Sequence, residues 1–450
     1  MALTQADTLH SSADDPREVF GWAMYDWANS AFSATVVTVF LGPYLTSVAK
    51  AAADSDGFLY LLGIPLKYDS FFAYCTAVSV ILQVLVLPVL GAIADYSHRR
   101  KFFLQLFCAV GAIATMLLFF LRTGLHWLGA GLYIVANFAF GASIVFYNAY
   151  LPDIASPAQR DQVSAYGWGL GYLGGGVLLL LNLLLFTFRD ALGLSTDWAV
   201  RLSLASAGLW WLAFAQLSFV RLRSRYAQVA LPSGETYLSI ALRQLRQMLR
   251  KVRSLPDTLT FLMAYLFYND GVQTVIALAS VFGAEELKLD TSTLIQVILM
   301  VQFVAFLGAL AFGRLARWIG AKAAIVLTLI VWSLVTVYAY QFLHTATQFW
   351  LMAVVVALVM GGSQALSRSL FSQMIPKGQE AEFFAFYEIS ERGTSWIGFV
   401  LFGLANQLAG SLRVGILSLI ALFSIGLLIL LFVNVSRGAQ RANPAPIQVG

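Results

Sequence analysis

Charged side chains are scarce in this chain: they make up 11% of its 450 residues, while hydrophobic ones make up 59%. Soluble domains carry about a quarter charged residues, so a water-exposed globule is excluded. Cysteine is nearly absent. Cys75 and Cys108 both fall within apolar runs, which excludes a disulfide framework and a zinc ligand set. The net charge of +5 is spread thinly between apolar segments. No continuous phosphate-binding face can form, and nucleic acid is excluded as a partner. Residues 1–18 carry Asp7, Asp14, Asp15, Arg17 and Glu18 and lack the basic-then-apolar order of a signal peptide. Gly169, Gly171 and Gly174 match the spacing of a dinucleotide-binding turn, but no strand precedes them and an apolar segment surrounds them. With no nucleotide-binding loop, metal cluster or hydrolytic triad to be read, neither an enzyme nor a cofactor is expected.

Long apolar runs are what the chain does have. A spanning helix needs about 20 mostly apolar residues because the hydrocarbon layer is roughly 30 Å thick. Twelve segments qualify: 20–49, 68–94, 101–121, 127–151, 163–188, 198–220, 258–283, 292–313, 321–342, 347–370, 383–408 and 411–434. The fold class that follows is an all-α integral membrane protein. Cytoplasmic loops retain Lys and Arg. With the N-terminus inside, the cytosolic segments and helix ends hold 20 of the 28 basic residues, the outer ones hold 7, and Arg392 falls within a span. Both termini are therefore assigned to the cytosol, and the inner membrane of the cell is the expected location.

One polar interruption divides six spans from six. Residues 221–257 carry Arg221, Arg223, Arg225, Arg243, Arg246, Arg250, Lys251 and Arg253 against the single acid Glu235 within Arg221–Pro256. Leu238, Leu242, Leu245, Leu249 and Val252 recur at helical steps opposite those arginines, the pattern of an amphipathic helix on an anionic inner leaflet. The expected organisation is a tail over 1–19, a six-helix bundle over 20–220, the basic linker over 221–257, a second six-helix bundle over 258–434, and a tail over 435–450. An internal repeat agrees with this division. Gly91 to Lys101 ends the second span and Gly313 to Lys322 ends the eighth, an offset of 222 residues, 313 less 91. Pro152 and Pro376 follow the fourth and tenth spans at an offset of 224, 376 less 152. Duplicated halves of a transporter hold substrate between them and rock to expose it to each side in turn.

Gly91, Asp95, Arg99 and Arg100 resemble the loop motif between the second and third spans of the major facilitator superfamily, with Tyr96 where a basic residue is usual and His98 where glycine is usual. The resemblance implies twelve transmembrane helices in two pseudo-symmetric six-helix bundles. More narrowly, "YDWANSAF" (Tyr25 to Phe32), "FYNAYLPDIA" (Phe146 to Ala155), "YNDGVQT" (Tyr268 to Thr274) and "YEISERGTSWIG" (Tyr387 to Gly398) are similar to the vacuole-effluxer group of that superfamily, the autophagy-related permeases and their bacterial relatives. For the fungal members this implies amino-acid efflux.

An ionisable group inside a span costs about 2.5–3.5 kcal/mol on insertion scales, so each one is a candidate for function. Trp22, Asp26, Asn29, Ser33 and Val36 form one helical stripe that must face the bundle interior. In the repeat-related seventh span, Asn269, Asp270 and Gln273 form a similar patch. With Asn137 and Tyr25, these polar residues are the candidates for solute binding. Glu388 and Arg392, four residues apart with the acid first, have the favourable order for a helical ion pair. Glu391, Asp26 and Asp270 are left as candidates for proton coupling, or for pairing with Arg368 or Gln364 of the tenth span to hold a gate shut. Tyr147 and Asn148 are expected to close the cytosolic side, and Asp95, Arg99 and Arg100 to form an inner latch. Gly167, Gly171 and Gly175 at four-residue steps offer a close-packing face. The function that follows is a monomeric secondary or facilitative transporter that moves a small polar organic solute, foremost an amino acid, by alternating access. A proton-coupled carrier of a sugar or peptide, and a receptor or scaffold that keeps the fold, are the rival readings.

Overall fold

The structure is a computed structural model that describes residues 13–225, 239–240, 243, 246, 253–392, 396–409 and 411–444; the side chain of Arg392 lies outside that description. Side-chain caps open some of the helices. The Asp15 carboxylate accepts from the Arg17 amide at 2.9 Å and Pro16 supplies a pre-set φ, which opens α1 (Pro16–Ala52). The middle of α1, Phe32–Phe40, is π-helical. It contains the β-branched run Thr35 to Val39, which crowds an ordinary α-turn, and Thr38 donates to the Ser33 carbonyl five residues back at 2.8 Å. A hairpin of β1 (Phe58–Leu61) and β2 (Ile64–Lys67) fills the gap before the second span. Leu62 and Gly63 take positive φ at its turn, as a two-residue hairpin requires.

The first half continues with α2 (Phe71–Ser97), α3 (Arg100–Phe120), α4 (His126–Asn148), α5 (Arg160–Thr187) and α6 (Thr196–Arg221). The second half comprises α7 (Pro256–Glu285), α8 (Thr291–Ile319), α9 (Ala321–Gln341), α10 (Ala346–Gln373), α11 (Glu380–Arg392), α12 (Trp396–Ala409), α13 (Leu412–Phe432) and the short α14 (Val435–Ala442). Among the described residues, ten helices are long and apolar enough to cross a membrane. Of the other two expected spans, α7 has the length, at 30 residues, and carries the polar patch at Asn269 and Asp270. The other is divided between α11 and α12. The amphipathic helix expected near residues 238–252 lies for the most part outside the described residues.

The two halves repeat each other in detail. Lys101 at the start of α3 donates to the Leu222 carbonyl just after α6, at 2.7 Å. Lys322 at the start of α9 donates to the carbonyls of Leu431 and Val433 at the end of α13, at 2.8 and 2.7 Å. Glu18 near the start of α1 pairs with Arg225 beyond α6 at 2.7 Å, and Asp257 at the start of α7 pairs with Arg437 on α14 at 2.7 Å. All four contacts lie on the face that carries both described ends of the chain, called the terminal face below.

Small residues decide how closely the helices approach. A Cβ on Gly174 would collide with the backbone of Trp27, and one on Gly175 would lie 3.0 Å from the Ser30 carbonyl. While Gly167 and Gly171 leave room for the side chains of Asp26, Trp22 and Ser30, these two press α5 onto the backbone of α1. Gly361 does the same for α10 against Ala305 on α8. These two tight pairs bring α1, α5, α8 and α10 together at the seam between the halves.

Candidate functional site

Arg368 lies at that seam, on α10, and every nitrogen of its guanidinium is engaged. Nη1 donates to Asp26 Oδ2 at 3.0 Å and to Asn148 Oδ1 at 3.3 Å; Nε donates to Ser164 Oγ at 2.9 Å, and Nη2 to the Ser164 carbonyl at 2.8 Å. The rings of Trp22, Trp168 and Tyr147 surround the cation, with centroids 4.7, 5.4 and 5.5 Å away. Asp26 accepts a second bond from the Tyr147 hydroxyl at 2.7 Å, and Tyr147 is itself held by Trp22, whose indole donates to its carbonyl at 2.9 Å. The ion pair is almost fully withdrawn from solvent, with side-chain exposures of 3% and 9%. Gly167 makes room for it, since a Cβ there would lie 2.8 Å from Asp26 Oδ2 and 3.0 Å from Arg368 Nη2.

Asp26 belongs to the first half and Arg368 to the second, so this pair is a clasp between halves. Two more bonds flank it: Ser164 Oγ donates to the Ala365 carbonyl at 2.6 Å, and the Tyr172 hydroxyl donates to Gln364. Removing one partner of a buried ion pair leaves an uncompensated charge and costs about 3–5 kcal/mol. The clasp therefore opens readily only when something else compensates both charges.

A second clasp lies at the rim of the terminal face. Arg100 is bound to Asp95 at 2.8 Å, to Asp153 at 3.1 Å and to Glu380. Asp95 also accepts from the backbone amides of Ala381 and Glu382 at 3.3 and 2.9 Å. Its carboxylate thus caps the N-terminus of α11, where the helix dipole favours negative charge. Gly91 is required here because a Cβ would lie 2.7 Å from the Ala381 carbonyl. His98 closes the turn with φ 52°, in the left-handed region. Burial and the Arg100 charge beside it hold the His98 imidazole below its ordinary value, so it is neutral at pH 7. Beside this cluster, Arg160 crosses the seam to the Ser372 carbonyl at 3.1 Å, and Asp161 accepts from Ser369 Oγ at 2.5 Å.

The remaining residues singled out in the sequence are distributed as follows. The contact to Asp95 comes from Arg100 rather than Arg99, whose Nε is buried with no partner among the described residues. Arg99 precedes the first turn of α3, and its side chain leaves the acid cluster to its neighbour. Tyr25 points into the first half, stacked on Tyr147 and tilted against Phe219. Asn137 is tied within the first half, its amide donating to Ser79 Oγ at 2.6 Å. Asn29 is buried on α1, three residues after Asp26, and its Nδ2 has no partner among the described residues. On α7, Asn269 donates to the Glu391 carbonyl at 3.1 Å, Gln273 reaches Asn269 at 3.5 Å, and Asp270 Oδ2 accepts from the Gly398 amide at 2.8 Å. All of these contacts stay inside the second half. Glu388 is buried on α11, while the pairing expected between it and Arg392 lies outside the described residues. Sequence reasoning missed Ser164, Trp168, Asp153 and Glu380. Ser and Trp carry no charge to mark them inside a span, and acids at span ends are too common to stand out.

Comparison with known proteins places this architecture. The family model described as vacuole effluxer Atg22 like matches residues 14–443. The Bacillus subtilis (strain 168) protein named uncharacterized MFS-type transporter YxiO is 33% identical over 433 residues, covering 95% of this chain and 97% of its own. Autophagy-related protein 22-1 of Penicillium rubens is 25% identical over 543 residues, covering 95% and 91%. Among solved structures, the major facilitator superfamily transporter FucP in its outward conformation matches with a TM-score of 0.66 at 13% identity, covering 93% of this chain and 99% of that one. A bacterial homologue of the iron transporter ferroportin in its outward-facing state matches with a TM-score of 0.65 at 14% identity, covering 92% and 98%. The chain belongs to the Atg22-like vacuole effluxer family and has the major facilitator fold. It is a multi-pass membrane transporter and not an enzyme, and the resemblance read from its four sequence stretches is borne out.

Proposed function

We propose that this transporter moves amino acids out of the cytosol by alternating access, with the terminal face on the cytosolic side of the cell membrane. The observation that carries this reading is the buried Asp26–Arg368 pair between the halves. An α-amino acid presents one carboxylate and one ammonium. Its carboxylate can take the place of Asp26 on the Arg368 fork, and its ammonium the place of Arg368 beside Asp26 and Tyr147. A zwitterion thus supplies both compensating charges that parting the halves demands, whereas a neutral sugar supplies neither. In the arrangement seen here the terminal face is shut by the clasp and the rim, which is one end of a rocking cycle. The orientation rests on the basic residues, most of which fall on the loops and helix ends of that face. One copy of the chain is enough, since its own two halves supply both sides of the clasp.

The test is flux of radiolabelled amino acids from proteoliposomes holding the purified chain, with and without a pH gradient. Amino-acid flux that is lost in both Asp26→Asn and Arg368→Gln supports the proposal; no amino-acid flux from the unsubstituted chain under any gradient rejects it. A proton-coupled carrier is the second reading, and one observation favours it: Asp270 Oδ1 is buried with no hydrogen-bond partner among the described residues, which leaves a place for a transported proton. A pH gradient that accelerates flux in the unsubstituted chain, but not in Asp270→Asn, would establish that coupling.

A further inference from the structure

We infer that a cleft at the seam of α5 and α8, on the terminal face, binds the headgroup of an anionic phospholipid. The cleft encloses about 360 Å³; Gln162 and Tyr166 line it from α5, and Gly313, Arg314, Arg317 and Trp318 from α8. Its cations are not neutralised. Arg314 is exposed and makes no hydrogen bond or ion pair among the described residues, and the side-chain partner of Arg317 is the neutral amide of Gln162. Asp161, the neighbouring acid on α5, is turned away to Ser369 and Gln373. On the same face the arginines Arg100, Arg225 and Arg437 each hold a carboxylate.

The cleft is built for an anion with an apolar tail. The spacing of Arg314 and Arg317 puts both forks on one helix face, where they can share a phosphodiester. Gly313 keeps the floor clear, since a Cβ there would collide with Ala165 across the seam. Trp318, 83% exposed in the last turn of a membrane helix, occupies the interfacial position that tryptophan favours, and the Leu310 side chain extends the wall toward the apolar layer. A free phosphate would satisfy the arginines and leave Trp318 and Leu310 unused. Basic pockets between spans on the inner side have the chemistry for acidic headgroups. Because one wall comes from each half, an occupied cleft favours the arrangement in which the terminal face is closed.

Native mass spectrometry of the full chain, titrated with phosphatidylglycerol or phosphatidylcholine in detergent, tests the assignment. One phosphatidylglycerol retained per chain in preference to phosphatidylcholine is expected. Arg314→Gln with Arg317→Gln should weaken that retention about twenty-five-fold, at roughly a factor of five for each basic residue. Arg314→Gln alone, which leaves the Gln162 bond intact, should give part of the loss at an unchanged melting temperature. Arg189→Gln with Arg201→Gln, on the opposite face, should leave retention unchanged. Equal retention in the Arg314 and Arg317 variants, no preference over phosphatidylcholine, or displacement of the lipid by inorganic phosphate at matched ionic strength would each overturn the inference.

Discussion

The deep clasp and the rim clasp close the same seam with different charge stoichiometry. At depth, Arg368 meets one carboxylate and fills its remaining donors with Asn148 and Ser164. At the rim, Arg100 is bonded to three carboxylates, of which Asp95 also accepts the amides at the start of α11 and Glu380 the Gly378 amide. The deep pair is balanced, so it can be exchanged for a ligand of equal and opposite charges. The rim is a knot of three carboxylates bonded to one guanidinium, suited to holding a face shut and poorly suited to exchange. The same physics of buried charge thus yields an exchangeable contact in one place and a structural one in the other.

The comparison breaks first where the imbalance is greatest. Arg100→Gln leaves Asp95, Asp153 and Glu380 together without their cation, and should produce the largest loss of stability, about 3–5 kcal/mol or more, read as the melting temperature of the detergent-solubilised chain. Next come the single variants Asp26→Asn and Arg368→Gln, each expected to cost about 3 kcal/mol by stranding the other's charge. The double variant should cost less than their sum, and the cycle should show coupling of about 1–3 kcal/mol. Arg368→Lys should rescue little, because a point charge cannot reach Asp26, Asn148 and both oxygens of Ser164 at once.

Gly167→Ala sharpens the contrast without changing charge. Its Cβ would press on Asp26, Trp22 and Arg368, and overpacking of this kind costs about 1–3 kcal/mol. The rim should be untouched, so a maleimide probe at Lys377→Cys should react as it does in the parent. The smallest effect concerns His98. Its folded value lies below its unfolded one, so the unfolded chain takes up the proton first and stability falls as pH drops below the ordinary histidine range near 6.5. Between pH 7 and pH 5 the melting temperature of the unsubstituted chain should therefore drop slightly relative to that of His98→Asn.

The spans were legible because a bilayer demands apolar length, and Asp26 and Arg368 because a charge in such a run is too costly to be incidental. Which residues meet was much less legible. The helical stripe through Asp26 and Asn29 was extended to Ser33 and Val36 with an α-helical period, yet α1 turns π-helical at Phe32 and the phase of its later residues shifts. Tyr25 read as a candidate for solute binding and Tyr147 as a closer of the cytosolic side, but only Tyr147 donates to the clasp. The rim was half visible. Asp95 and its two arginines formed a recognisable motif, while Glu380 lies 280 residues from Arg100, at the start of a helix where acids are ordinary. No local pattern joins them.

The central claim is that the Asp26–Arg368 pair holds the two halves together at the terminal face. Spin labels at Ala158 and Lys377, exposed on opposite sides of that seam, report it directly by double electron–electron resonance in nanodiscs. In the unsubstituted chain the account predicts a dominant short distance, and in Arg368→Gln a clear shift of population to longer ones. An identical distance distribution in a well-folded Arg368→Gln chain would contradict it.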